Sequence, residues 1–294
     1  MITVPEAFEK FRRRLELSKT EQDDAIRRHN EVRECIRAQF IISRDFLTGS
    51  YGRHTKTKPL KDVDIFFVLD EAEKHWRSKA PHQVLDAFQS CLAKKYGSDA
   101  IDPGRRCVTV EFDKRNPTAD DEGKVLSIDA VPAFDIGDCF EIPDRHLGRW
   151  VKTDPEVHQE QATAKNADLS GKWVPLVKML KRWNRSAGKP ISPSFLIEVM
   201  AQDLVDGPFT TYPSEVRRFF AAALTGVLQT WPDPAGYGPP VSDQMTPDKQ
   251  KTAVDVLRNA EIRAALAVRL EKQGKQAEAL AVWREIMGKY FPTV

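Results

Sequence analysis

Two aspartates, Asp62 and Asp64, stand one residue apart in a run that is otherwise rich in Val, Ile and Phe. In an extended strand, residues i and i+2 face the same side about 6.5–7 Å apart, so the two carboxylates point together while Val63 faces the other way. Carboxylates on an apolar strand are costly to cover unless a cation neutralises them. A pair of Mg²⁺ (or Mn²⁺) ions, about 3.5–4 Å apart, would do so and suits phosphoryl or nucleotidyl transfer.

A third carboxylate is expected on a neighbouring strand, and Asp129 is the best candidate. It is the one acid in the β-patterned run 126–131. Asp135 and Asp138 come after Pro132 and are predicted to be turn residues. The pattern therefore predicts a metal centre of three aspartates on two strands.

The dipeptide Gly49-Ser50 predicts a phosphate-binding turn. Glycine lets backbone amides approach a phosphate, and the serine hydroxyl can donate a hydrogen bond to it. Four basic residues follow and are expected to line the same pocket: Arg53, His54, Lys56 and Lys58. The sequence has neither a P-loop nor a dinucleotide-binding fingerprint, which excludes those phosphate-binding families. The order of turn, aspartate pair and later strand aspartate is much more specific than any one of its parts.

The elements around these residues predict a mixed sheet with flanking helices. Strands are predicted at 45–48, 62–69, 107–113 and 125–131, and the polar loop at 115–123 is interpreted as a long hairpin connection. The first forty residues are predicted to be helical, with Thr20 as a helix N-cap, and residues 76–96 form a further helix.

Beyond about residue 150 the pattern indicates helices separated by proline-rich breaks. One helix is predicted over 171–185, the next opens at Ser192-Pro193, and a last pair begins at Thr246-Pro247 and breaks near Gly274. We therefore expect an α+β fold. Its core would comprise residues 1–160 including the N-terminal helix, and an α-helical domain would follow in residues 161–294.

Composition narrows the range of partners. The chain has 294 residues, of which 41% are hydrophobic and 30% charged, as is ordinary for a globular enzyme. Its net charge of +2 gives no global field for binding long nucleic acid. Four scattered cysteines make no zinc or disulfide pattern. No stretch approaches the roughly 20 apolar residues of a membrane span, so we expect a cytoplasmic protein without membrane partners.

The combination of Gly49-Ser50, the Asp62/Asp64 pair and Asp129 resembles the DNA polymerase β-type nucleotidyltransferase superfamily. Members of that superfamily carry a Gly-Ser turn, a DxD strand and a third acid on a later strand. The resemblance implies a polymerase β-like core that binds nucleoside triphosphates and two Mg²⁺ (or Mn²⁺) ions. It also implies that the three aspartates are both metal ligands and catalytic residues.

The second half of the chain narrows this resemblance. The segments 176–183 and 192–198 resemble the helical domain of oligoadenylate synthetases and of the bacterial CD-NTases, the cyclic-oligonucleotide synthases of CBASS anti-phage systems. The ending at 283–292 is similar to the tails of many CD-NTases, so the resemblance covers about residues 45–294. The chain lacks the zinc-ribbon insertion of the animal cyclic GMP–AMP synthase, so no activation by long DNA is implied.

The resemblance implies further nucleotide-binding residues in the helical half. Lys181 and Ser194 would contact the donor triphosphate, and Phe195 would stack on a base or pack in the core. The helical pattern supports Lys181, because the apolar stripe of its helix leaves the lysines on another face. It supports Ser194 as well, because free amides in the first turn of a helix favour an anion.

Three functions are compatible with these observations. The first, favoured by the resemblance, is a cyclase that joins NTPs into a cyclic di- or oligonucleotide second messenger for anti-phage defence and releases pyrophosphate. A regulatory protein or phage-derived activator would control it. The second makes a linear oligonucleotide or modifies tRNA or a small molecule, although the near-neutral charge argues against tRNA. The third is a non-catalytic nucleotide sensor, which has no need for three costly carboxylates.

Overall fold

The computed structural model describes residues 2–112 and 127–292. The chain forms two compact units: one comprises residues 17–159, and the other comprises residues 1–16 together with 160–294. The hairpin connection predicted at 115–123 lies outside the described residues. A mixed sheet with flanking helices and a separate helical region confirm the predicted α+β fold class.

Every strand of the described residues lies between residues 42 and 153, and helices both precede and follow this region. In chain order, the helices are α1 (Val4–Arg14), α2 (Lys19–Arg37), α3 (Gly49–Gly52), α4 (Pro81–Tyr96), α5 (Pro155–Asp168), α6 (Trp173–Ser186), α7 (Ser194–Leu204), α8 (Tyr212–Gly226), α9 (Pro247–Lys272) and α10 (Gln276–Met287). The strands are β1 (Ile42–Thr48), β2 (Asp62–Leu69), β3 (Ile101–Pro103), β4 (Val108–Glu111), β5 (Ser127–Asp135), β6 (Phe140–Asp144) and β7 (Arg149–Thr153). Short 3₁₀ helices cover Glu71–Ser78 and Ser98–Ala100.

The unit of residues 17–159 is built on one sheet with the strand order β1-β2-β5-β4-β3. Strands β2 and β5 run parallel at its centre, whereas β1 and β4 are antiparallel to them. The end of β5 also pairs with β6, which pairs with β7. The predicted strand Asp62–Leu69 is confirmed as β2. Its run of Val, Ile and Phe suits a strand that is covered on one face along its whole length.

The two faces of this sheet differ in what covers them. Val63, Ile65 and Phe67 are fully buried against a core that includes Val32 of α2 and Phe88 of α4. On the opposite face, Phe66, Val68, Val131 and Ala133 pack with aromatic residues of β1 and β6. Helices therefore cover one face, and the other face carries a smaller apolar cluster beside Asp62, Asp64 and Asp129.

The N-cap prediction for α2 was wrong by two residues. The helix begins at Lys19, and Ser18 rather than Thr20 is its N-cap. The Ser18 hydroxyl accepts a bond from the Glu21 amide, while the Glu21 carboxylate accepts one from the Ser18 amide at 2.7 Å. This reciprocal capping box satisfies two otherwise unpaired amides, so it outweighs a single hydroxyl at Thr20.

Other helix and strand boundaries in the structure also differ from the predicted ones. The helix predicted at 76–96 is interrupted, because Pro81 at the first position of α4 forces Ala80 into an extended conformation. Pro132 does not end its strand, since β5 continues to Asp135. Strand β7 lies in the region beyond residue 140 that the sequence pattern did not identify as β-structure.

Helix α1 belongs with the helical unit, which corrects the expectation that residues 1–160 form one group. The Phe8 ring contacts Trp283 and Phe291, with centroid distances of 4.9 and 5.1 Å. Val4, Phe8 and Phe11 are completely buried in the same core as α6, α8 and α10. The apolar stripe of α1 is therefore covered by residues from the far end of the chain.

The helical unit otherwise follows the predicted breaks. Helix α9 ends before Gly274, which adopts a positive φ of 77°, and α10 follows at Gln276. Within the part of the chain that the structure describes, no helix is both long enough and apolar enough to cross a membrane.

Candidate active site

The candidate site is a row of polar residues that runs across five strands at one level of the sheet. Asp64 lies opposite Thr48 of β1 and opposite Asp129 of β5. Asp129 lies opposite Thr109 of β4, which in turn lies opposite Asp102 of β3. Residues directly opposite one another on paired strands share a face of the sheet. The row Thr48–Asp64–Asp129–Thr109–Asp102 is therefore one continuous polar line, and we call it the transverse row.

Asp62 joins this row from two residues earlier in β2, which places it on the same face as Asp64. It is exposed, whereas Asp64 and Asp129 are partly buried. The structure thus brings together the three aspartates that the sequence singled out, and it does so through strand register alone.

The burial of these carboxylates has a clear electrostatic consequence. Desolvation, together with the negative charges of Asp129 and Asp62, raises the pKa of Asp64 to about 7, and the charge of Arg53 opposes the shift. Desolvation also raises the pKa of Asp129, against the hydrogen bond from Thr109. A group of acids whose charged forms are disfavoured in this way is a place where a bound cation is strongly stabilising.

The chemistry of these donors fits a hard divalent cation, because Mg²⁺ prefers carboxylate oxygens and is held by few protein ligands. Across residues 2–112 and 127–292, however, no three His, Cys, Asp or Glu side chains are gathered into a ready-made metal-ligand group. The strand register nevertheless places Asp62, Asp64 and Asp129 on one face of the sheet.

The Gly49-Ser50 turn follows β1 directly and forms the start of the short helix α3. Gly49 has a left-handed φ of 61°, and a Cβ atom at this position would overlap the carboxylate of Asp64. Two features therefore require glycine at this position: the left-handed backbone and the close approach of the Asp64 side chain. The turn therefore lies directly against Asp64, one of the two aspartates of the predicted pair.

The four basic residues after this turn do different things. Arg53 is buried and lowers the pKa of Asp64 through its charge. The Lys56 ammonium lies 3.6 Å from the centre of the Tyr51 ring, and Lys58 forms a 3.0 Å ion pair with Glu21. His54 is exposed with a φ of 59°. The charge of Arg53 therefore acts on the Asp64 carboxylate, as expected of a residue that lines the same pocket.

The predicted nucleotide-binding residues of the helical unit have contrasting environments. Lys181 of α6 is buried and forms a 2.5 Å ion pair with Glu198 of α7, which is itself almost completely buried. Ser194 is exposed at the first position of α7, after Pro193 as N-cap. Phe195 is partly buried and packs against the helical core.

Sequence reasoning missed Thr109 and Glu198, each of which contacts a predicted site residue. Thr109 donates a 2.6 Å hydrogen bond to Asp129, and nothing in its local pattern distinguishes it from any threonine on a strand. Glu198 left a clearer signal, because it is the one acid in the apolar run 195–201. A buried acid requires a cationic partner.

A sheet that presents aspartates of adjacent parallel strands beside a Gly-Ser turn, together with a helical unit, defines the nucleotidyltransferase class. The family model described as the Second Messenger Oligonucleotide or Dinucleotide Synthetase domain matches residues 1–166. The chain belongs to this family, and it is a nucleotidyltransferase of the CD-NTase type that forms cyclic oligonucleotides.

Individual relatives agree with this assignment. The chain is 28% identical to a cyclic AMP-AMP-AMP synthase of Acinetobacter sp., over 99% of this chain and 86% of the relative. Its fold is similar to that of Escherichia coli CdnC solved with ATP, with a TM-score of 0.74, 18% identity and 99% of each chain covered. A complex of E. coli CdnC with HORMA-deltaN gives a TM-score of 0.73 at 17% identity, with 98% of each chain covered.

Proposed function

We propose that this enzyme joins nucleoside triphosphates into a cyclic di- or oligonucleotide that serves as a second messenger in anti-phage defence. The observation that carries the proposal is the transverse row, in which Asp64 and Asp129 lie in register beside Gly49. The 28% identity with a cyclic AMP-AMP-AMP synthase along almost the whole chain supports a cyclic product.

Asp62, Asp64 and Asp129 are the proposed metal ligands and catalytic residues. When bound, two Mg²⁺ or Mn²⁺ ions would lower the pKa of the attacking hydroxyl and stabilise the leaving pyrophosphate. Asp62 and Asp64 would hold both ions, since they share one face of β2. Asp129 would hold one ion and help to remove the proton of the attacking hydroxyl.

The proposed reaction is an in-line displacement at the α-phosphate of the donor nucleotide. A ribose hydroxyl oxygen of the acceptor forms the new bond to phosphorus, while the bond to the pyrophosphate oxygen breaks. Gly49 and Ser50 would bind the donor phosphates, because the glycine lets the backbone approach closely and the serine supplies a hydroxyl. Repetition of this step between the two ends of the linear product would close the ring.

Lys181, Ser194 and Phe195 are proposed as further nucleotide-binding residues. Ser194 suits a triphosphate contact because it is exposed in the first turn of α7, where unpaired amides favour an anion. Lys181 suits it less directly, because its ammonium already pairs with Glu198. For Phe195, packing against the helical core supports a structural role beside any contact with a base.

A regulatory protein or a phage-derived activator is proposed to control the enzyme. The structural similarity to a CdnC that forms a complex with HORMA-deltaN supports a protein regulator. The proposed site of action is the cytoplasm, where the nucleoside triphosphates are available.

The test is product analysis. The purified protein is incubated with all four NTPs and Mg²⁺ or Mn²⁺, with each NTP radiolabelled in turn, and the products are treated with phosphatase and nuclease. We expect a phosphatase-resistant product whose mass corresponds to a cyclic oligonucleotide. A linear product would be digested and would indicate the alternative acceptor chemistry. Absence of any product, even with lysate of phage-infected cells as a source of activator, would contradict the proposal.

A further inference from the structure

The transverse row continues beyond Asp129 to a residue that contacts this carboxylate directly. Thr109 Oγ1 donates a hydrogen bond of 2.6 Å to Asp129 Oδ1, and the two residues lie opposite each other in the β4–β5 register. We propose that Thr109 is a positioning residue. Its hydroxyl fixes the orientation of the Asp129 carboxylate and leaves Oδ2 for the metal ion and the attacking hydroxyl. This inference rests on the proposed function.

The position of the Thr109 hydroxyl is itself well determined. Val108 and Val110 on either side of it are completely buried in the core on the other face of the sheet. A one-residue slip of β4 would expose both valines, so the register is strongly specified. Threonine is also β-branched and therefore restricted at χ1. The backbone and the side-chain geometry together hold the donor at one point in front of Asp129.

The direction of the hydrogen bond follows from the chemistry of the two groups. An ionised carboxylate can only accept hydrogen bonds, so the Thr109 hydroxyl is the donor and the Asp129 carboxylate is the acceptor. Cys107 Sγ lies 3.9 Å from Thr109 Oγ1 and is a further neighbour of the same hydroxyl.

A positioning residue acts through the metal ligand that it orients. Removal of the group that orients a metal ligand typically lowers metal affinity or activity by roughly 10- to 100-fold. If Thr109 holds Asp129, its loss should lower kcat and raise the Mg²⁺ concentration needed for half-maximal activity. The KM for NTP should change little, because Thr109 does not touch the substrate in this proposal.

Two pairs of variants separate the hydroxyl from the methyl group. Thr109→Val removes the hydroxyl at constant shape, whereas Thr109→Ser keeps the hydroxyl and loses the methyl group. Thr109→Ala provides the matched comparison for serine, since the two differ only in the oxygen. We expect Thr109→Val and Thr109→Ala to lower kcat by roughly 10- to 100-fold and Thr109→Ser to remain within about threefold of the wild type.

Thr210 offers a control for the loss of a threonine–carboxylate bond in general. It donates from both its amide and its hydroxyl to Glu215 Oε1 at 2.9 Å, and Glu215 is almost completely buried in the helical unit. Thr210→Val should lower the melting temperature but leave kcat and the Mg²⁺ requirement unchanged. If Thr210→Val also changed the Mg²⁺ requirement, the effect of the Thr109 substitutions would reflect a general loss of stability and not the orientation of Asp129.

A measurement without turnover completes the test. Mn²⁺ is titrated into each protein in the presence of a non-hydrolysable ATP analogue, and the rise in melting temperature gives the apparent Mn²⁺ affinity. Weaker Mn²⁺ binding by Thr109→Val and Thr109→Ala, with wild-type binding by Thr109→Ser, supports the role of Thr109. Equal Mn²⁺ binding and kcat in the wild type and all three variants, or an equal loss in Thr109→Ser and Thr109→Ala, would overturn it. If the wild-type protein forms no oligonucleotide, the proposed function fails instead, and the Mn²⁺ titration still reports on Thr109.

Discussion

Gly49 and Asp64 are fitted to each other so closely that no side chain is possible at position 49. The backbone at Gly49 is left-handed, and an added Cβ would overlap the Asp64 carboxylate. The Gly49-Ser50 turn and Asp64 therefore form one structural unit. A side chain at position 49 would therefore displace the Asp64 carboxylate, whether or not a nucleotide is bound.

Gly49→Ala should abolish most of the activity through this displacement. A shift of about 1 Å in a reacting group can cost roughly 100-fold in rate. The left-handed backbone itself should cost about 1–2 kcal/mol of stability in any non-glycine residue. Kinetics of product formation and the melting temperature measure the two effects separately.

Gly148 provides the matched control for this substitution. Its φ of 63° is almost the same, but an added Cβ would meet no atom within 4 Å. Gly148→Ala should therefore reproduce the loss of stability and keep the rate of turnover. Similar rates for the two variants would show that the contact between Gly49 and Asp64 is irrelevant to catalysis.

The double substitution Asp62→Asn and Asp64→Asn should abolish turnover and leave the melting temperature unchanged or raised. The reason is that the Asp64 charge, which burial and the neighbouring charges of Asp129 and Asp62 disfavour, is replaced by a neutral amide of the same shape. The measurements are product formation and thermal unfolding in the presence of a chelator. Asp135→Asn, at the far end of β5 and outside the transverse row, is the control and should keep full turnover. Retained turnover in the double variant would refute the assignment of the site.

The stability of the metal-free protein should depend on pH through Asp64. Its pKa is raised from the ordinary value of 3.8 to about 7 in the folded state, so the folded protein binds this proton more tightly than the unfolded chain does. The resulting stabilisation is complete below about pH 4 and is lost as the pH rises to about 7. Asp64→Asn lacks this loss, so its melting temperature should rise relative to the wild type across that window.

Differential scanning fluorimetry in a chelator, from pH 4 to 8, measures this difference. Asp23→Asn removes one exposed acid from α2 and should show no such trend with pH. Addition of Mg²⁺ at pH 8 should narrow the gap between wild type and Asp64→Asn, because the ion replaces the proton. A gap that is constant with pH would contradict the raised pKa.

The buried pair of Lys181 and Glu198 allows a structural role to be separated from a role in nucleotide binding. Lys181→Met leaves the Glu198 carboxylate buried without this partner and should cost about 3–5 kcal/mol of stability. The double variant Lys181→Met with Glu198→Leu should recover most of that loss. If Lys181 contacts the triphosphate, the double variant should still show a raised KM for NTP.

Lys178, one turn earlier on α6, is the control for this experiment. It pairs with Glu16, whose side chain is 44% exposed. Because water can solvate Glu16, Lys178→Met should cost less stability and leave the KM unchanged. A normal KM in the Lys181/Glu198 double variant would assign Lys181 a purely structural role.

Strand β2, the Gly-Ser turn and the three aspartates could be predicted from sequence, because each depends on local pattern or on spacing along one strand. Thr109 could not be recognised from its own surroundings, since only the pairing of β4 with β5 places it opposite Asp129. A hairpin whose midpoint is the middle of the predicted loop at 115–123 would also pair residue 109 with residue 129. The sequence therefore contained this information, but in the equal distances of Thr109 and Asp129 from the middle of the loop and not in the residues next to Thr109.

The local sequence pattern could not predict which unit contains α1, for a different reason. Its stripe of Val4, Phe8 and Phe11 shows that the helix is buried on one side, but any apolar core would satisfy it. The burial of Lys181 was missed for the same reason. A lysine on the polar side of one helix becomes buried only when another helix supplies a carboxylate, as Glu198 does.

The packing of α1 against Trp283 and Phe291 has a consequence for the order of events during synthesis. Domains generally fold as the ribosome releases them, and the unit of residues 17–159 is complete long before α10 is made. Helix α1 precedes the unit of residues 17–159 in the chain, but it can bury its aromatic stripe only after α10 and Phe291 have been synthesised. Asp62, Asp64 and Asp129 belong to the unit that can fold earlier, whereas the helical unit cannot be completed before α10 is made.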